Sequence, residues 1–142
     1  MKVLYSVLLL AGLSFIVGCQ NSEENTMVLL DEKVEEITVS KSNGIGEMNQ
    51  DIIFSLDDKE SIKVFEKAIR TAVKQQSTIN ETKPDYDVMV EYGEEFPIHA
   101  IHLWLGEENE KSTLMYMVGE GEIYLTSSKA TDQLRELLLS GQ

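Results

Sequence analysis

Tyr86-Asp87-Val88-Met89-Val90-Glu91-Tyr92 is followed by the turn-forming stretch Gly93-Glu94-Glu95-Phe96-Pro97 and then by Ile98-His99-Ala100-Ile101-His102-Leu103-Trp104-Leu105. Both outer segments alternate, and alternation is the signature of a strand buried on one side. The short break between them predicts an antiparallel hairpin. Side chains on a strand point to opposite faces in turn. Tyr86, Val88, Val90 and Tyr92 therefore share one face of the first strand, and His99, Ile101, Leu103 and Leu105 one face of the second. This aliphatic set is the better core. Choosing it turns Met89, His102 and Trp104 to the other side.

Working outward, residues 113–118 and 122–126 read as two more strands, separated by Gly119-Glu120-Gly121. Upstream, residues 35–40 and 51–56 read as strands on either side of a loop at 41–50 that carries Gly44 and Gly46. Asp57 and Glu60 have the spacing of a helix cap. The apolar positions Ile62, Phe65, Ala68, Ile69, Ala72 and Val73 extend the expected helix over 59–75. A last helix is expected from Ser128, with Ala130, Leu134, Leu137 and Leu138 on its stripe. The order is ββαββββα. It predicts an α+β domain, a mostly antiparallel sheet with two helices on one face.

Composition narrows the function. The chain has 142 residues, enough for one ordinary domain, with 12 Lys and Arg against 25 Asp and Glu and a net charge of -13. Nucleic-acid partners are excluded by that balance, because binding phosphate backbones takes clustered cations. A single cysteine rules out an internal disulfide framework and any multi-cysteine metal site.

The N-terminus is an address. Lys2 precedes an uncharged apolar run over residues 3–17, too short for a spanning helix, which needs about 20 residues. A basic start, a short apolar run and a small residue at its end make a secretory signal. Ile16-Val17-Gly18-Cys19 resembles the lipobox of bacterial lipoproteins. That resemblance implies cleavage after residue 18 and a diacylglyceryl-modified, acylated Cys19, the chain's one cysteine. Two or more acyl chains hold a protein stably on a bilayer. Residues 19–33 then read as the lipidated cysteine with a flexible tether, and residues 34–142 as the domain. Loss of the signal removes Lys2, so the mature chain is one unit more negative and is repelled by an anionic surface.

A second resemblance covers residues 34–139. Pro84-Asp85-Tyr86-Asp87-Val88, Ile101-His102-Leu103-Trp104-Leu105-Gly106, Leu114-Met115, Tyr124, the closing Leu-rich helix and Phe65-x-x-Ala68-Ile69 are similar to the YhfM-like domain of lipoproteins from Bacillus-type bacteria. The resemblance implies a fold, a membrane location and a Gram-positive host. It implies no catalytic residue.

Chemistry is sparse. His99 and His102 are three apart on a strand and so face opposite ways, which disfavours a shared metal. Asp85, Asp87 and Glu91 form an acidic row, but no calcium-loop pattern accompanies them. There is no nucleophile elbow, and each glycine pair falls short of a phosphate-binding fingerprint. The expectation is a non-enzymatic module, without cofactor or metal, lipid-anchored on the outer face of the cell membrane. It would bind a protein or small molecule through a face carrying Trp104, His102 and Met89. The rival reading is an ion-binding or hydrolytic envelope protein using Asp85, Asp87 and Glu91. A loop at 41–50 folded over the Trp104 face would remove the patch.

Overall fold

The alternating hairpin sits at the centre of the fold. A computed structural model describes residues 25–77 and 82–140. The elements are β1 (Glu36–Lys41), β2 (Ile52–Leu56), α1 (Lys59–Arg70), β3 (Val73–Lys74), β4 (Tyr86–Glu91), β5 (His99–Trp104), β6 (Thr113–Tyr116), β7 (Ile123–Leu125) and α2 (Ser128–Leu139). They form one antiparallel sheet in the order β2-β1-β4-β5-β6-β7-β3. The expected order stands, with the short β3 added.

Core packing follows the pleat. Ile37 and Val39 of β1, Tyr86, Val88 and Val90 of β4, and Ile101 and Leu103 of β5 are all buried. They join Phe65 and Ile69 of α1 and Leu134 and Leu138 of α2 in a single cluster. Each helix starts on a side-chain cap, Asp58 accepting from the Ser61 N–H and Ser127 from the Ala130 N–H. Asp58, not Asp57, is thus the cap. Its pKa lies below the ordinary carboxylate value, chiefly because of that Ser61 backbone hydrogen bond.

Two expectations need correction. Helix α1 stops at Arg70, with Thr71 as its cap, because Val73 and Lys74 pair with Leu125 and Tyr124 instead of continuing the helix. Part of the stretch 19–33, expected as a flexible tether, is also packed on the domain. Thr26 bridges to Val73, the Met27 N–H donates to the Ala72 carbonyl, and Met27 and Leu29 are buried in the core. The expected signal peptide over residues 1–18, Cys19 and the residues up to Glu24 lie outside the described residues. Among the described residues, no helix is long and apolar enough to cross a membrane.

Tyrosine hydroxyls hold this N-terminal segment down. Tyr116 Oη accepts the Val28 N–H at 2.7 Å and donates to the Val28 carbonyl, while Tyr92 Oη accepts the Leu30 N–H at 3.3 Å. Tyr92 Oη also meets His99 Nδ1 at 2.7 Å. Burial, helped by the nearby Arg70 charge, pushes the His99 pKa below its ordinary 6.5, because the charged ring is harder to solvate there. The unfolded chain therefore binds a proton here more readily than the fold does. The stability owed to His99 is present above pH 6.5 and is lost as pH falls through the lower folded value. Denaturation measured between pH 7.5 and about 5 should show a smaller acid loss in His99→Gln than in the parent. Identical pH curves for the two would reject this assignment.

Candidate functional site

The described surface offers one place where strand ends, a hairpin and a helix converge on cations. Lys41 ends β1 and lies opposite Tyr86, the first residue of β4, in register. Its ammonium sits 4.2 Å over the Tyr86 ring and donates to Tyr86 Oη at 3.1 Å. Just before β4, Asp85 spends one carboxylate oxygen on the Leu105 N–H at 2.8 Å. Beyond β5 the chain turns at Gly106, where an added Cβ would meet the Lys111 carbonyl oxygen at 2.4 Å, so only glycine fits without a shift of backbone.

Three buried hydroxyls pin the base of that turn. Ser112 Oγ lies 2.8 Å from Thr131 Oγ1, which lies 3.0 Å from Thr126 Oγ1, and Ser112 Oγ accepts the Gly106 N–H. Arg135 of α2 reaches across, donating from Nη1 to the Gly106 carbonyl at 2.9 Å and pairing with Glu107 at 3.4 Å. The result is a cleft of about 500 Å³, lined by Lys41, Lys83 and Arg135 together with Leu105 and Leu139.

A second constellation is closed. Asp87 and His102 are cross-strand partners, both wholly buried, with Nδ1 of the ring 2.9 Å from Asp87 Oδ1. The loop after β1 covers them: the Gly46 N–H donates to His102 Nε2 at 3.0 Å and the Asn49 N–H to Asp87 Oδ2 at 3.0 Å. With Nε2 accepting, the ring proton sits on Nδ1 and points at the carboxylate. Gly46 has φ +81°, the left-handed conformation that glycine adopts freely.

These geometries change the expected binding face. His102 leaves it, because the loop seals the ring from solvent. Trp104 and Met89 are partly buried, and the Trp104 indole N–H donates to the Thr82 carbonyl at 2.9 Å. The acidic row is not an open row either: Asp85 caps a strand end and Asp87 is buried, while Glu91 lies at the far end of β4. Among the described residues, no cluster of His, Cys, Asp or Glu can hold a metal. Sequence reasoning missed the cleft altogether. Its lysines and arginine come from segments that alternation alone does not bring together.

This antiparallel sheet with two helices on its core defines an α+β domain, and comparison with known proteins places it further. The chain belongs to the YhfM protein family, whose model matches residues 30–141. No curated protein matches it. A crystal structure of a thioesterase-like protein from Clostridium sporogenes ATCC 15579 is similar in fold, with a TM-score of 0.54 and 19% identity over 75% of this chain and 94% of the other. At that identity the likeness establishes the fold alone. It nevertheless overturns the expectation of a non-enzymatic module. That expectation rested on missing motifs, and the same architecture occurs in a protein described as thioesterase-like.

Proposed function

We propose that the protein is a lipid-anchored lipoprotein on the outer face of a Gram-positive cell membrane, with a domain that binds a ligand or partner. The observation that carries the reading is Ile16-Val17-Gly18-Cys19 behind an apolar run, the pattern of a signal peptide ending just before the chain's one cysteine. The burial of Met27 and Leu29 supports a short connection. Six residues separate Cys19 from Thr26, so the lipid and the fold are joined by at most about 25 Å of extended chain. Such a leash holds the domain near the bilayer while its negative charge keeps it off an anionic surface. Trp104 and Met89, both partly buried, keep some surface for a partner.

Mass spectrometry of the mature N-terminal peptide tests the anchor. The expected species begins at Cys19 and carries a diacylglyceryl group and an acyl chain. Cys19→Ser should abolish lipidation and release the protein from the membrane fraction without changing the melting of the domain. An unmodified Cys19 thiol, or a mature start far from it, would reject the reading.

A further inference from the structure

We infer that the cleft between the ends of β1, β4 and β5 and helix α2 binds a small amphiphilic anion, a carboxylate or phosphate on a short apolar body. The inference rests on the binding reading above and is independent of the anchor. The chain carries twice as many acids as bases, yet three of its 12 cationic side chains ring this one cleft. The two acids of the lining are already engaged, Asp85 by the Leu105 N–H and Glu107 by Arg135. Lys41 is held by the Tyr86 ring and hydroxyl, and Lys83 is exposed; among the described residues neither makes an ion pair with a carboxylate.

Arg135 and Glu107 offset each other, so Lys41 and Lys83 against the one carboxylate of Asp85 leave the rest of the lining with a net positive charge. Charge-assisted hydrogen bonds from lysine suit carboxylate and phosphate oxygens. The walls ask for more than a bare ion. Leu105 is half-buried and Leu139 is 40% exposed, and both line the cleft with the cations. An apolar body laid there would remove their surface from water, and the volume suits a small molecule. Arg135 is pinned to the Gly106 carbonyl and so keeps that part of the lining in place when a ligand enters.

Trp104, the chain's only tryptophan, reports on the site. It precedes Leu105, and its indole is bonded to Thr82, the neighbour of Lys83. The test uses the mature protein in phosphatidylcholine vesicles, titrated with hexanoate, hexyl phosphate and inorganic phosphate while Trp104 emission is followed. A saturable change is expected with either amphiphile, and inorganic phosphate should bind at least about tenfold more weakly. Lys83→Gln, and Lys41→Gln with Lys83→Gln, should weaken the amphiphiles about tenfold or more, whereas Lys63→Gln on exposed α1 should not.

An equal loss in Lys63→Gln would reduce the effect to overall charge and overturn the site. So would the absence of saturation with both amphiphiles. The two sources of the anion are separated by repeating the titration against phosphatidylglycerol vesicles without free amphiphile. A response there that the free amphiphiles cannot reproduce would mean membrane contact and would also overturn the inference. Vesicle flotation reads the anchor separately, so a failed cleft and a failed anchor are told apart.

Discussion

Asp87→Ala is expected to cost about 2–6 kcal/mol, because two buried donors lose their acceptor at about 1–3 kcal/mol each. The carboxylate serves two donors at once, His102 Nδ1 at 2.9 Å and the Asn49 N–H at 3.0 Å. Alanine would orphan both in a place that water does not reach, and a buried donor without a partner costs about 1–3 kcal/mol. Asparagine does not escape the conflict. Its amide carries one acceptor, so its NH₂ would face either the Asn49 N–H or the ring proton. Moving that proton to Nε2 passes the clash to the Gly46 N–H. Both variants should therefore speed amide exchange at Gly46 and Asn49 as well as lower the midpoint of chemical denaturation. A loss below about 1 kcal/mol in Asp87→Ala would mean that the loop does not seal this pair.

That pair also shows where sequence reading stops. Alternation placed Asp87 and His102 on the same side of adjacent strands, because the pleat leaves no other choice once Val88, Val90, Ile101 and Leu103 face the core. Hairpin register then makes the two residues direct partners. What alternation does not contain is the loop. Residues 42–50 look like any glycine-bearing connection, and only the backbone N–H groups of Gly46 and Asn49, which no side-chain pattern encodes, commit it to lie over the pair. The candidate face and the loop that could cover it were thus legible, and the contacts that fix the loop there were not.

Distance along the chain explains the other misses. Met27-Val28-Leu29-Leu30 is too short a run to declare an element, and its anchoring hydroxyls, Tyr92 and Tyr116, lie 62 and 88 residues away. The end of α1 was misread for a related reason. Ala72 and Val73 continue the helical spacing, so local pattern favours helix, but pairing of Val73 and Lys74 with β7 prevails. Lys41, Lys83 and Arg135 each look like ordinary solvated charges in sequence. Only the convergence of strand ends with α2 makes them one lining.

Phe65→Ala should be as damaging as loss of Asp87, for the opposite physical reason. Phe65 is 1% exposed at the middle of α1, in the same cluster as Ile69, Leu134 and Leu138. Its ring is among the largest fully buried side chains, so truncation removes much apolar surface and leaves a cavity that neighbouring strands and α2 fill only partly. Phe→Ala changes in such settings cost about 3–5 kcal/mol. An ordinary domain has about 5–15 kcal/mol in total, so the variant should lie near the edge of folding. Urea denaturation followed by circular dichroism is the measurement, with Lys67→Ala on the exposed side of the same helix as the control. Lys67 makes no ion pair among the described residues and alanine is the better helix former, so the control should move by less than about 0.5 kcal/mol. Comparable losses in the two variants would mean that the packing of Phe65 between α1 and the sheet is not the source of the loss. A loss confined to Phe65→Ala ties the stability of the domain to the contact that the apolar spacing of α1 first announced.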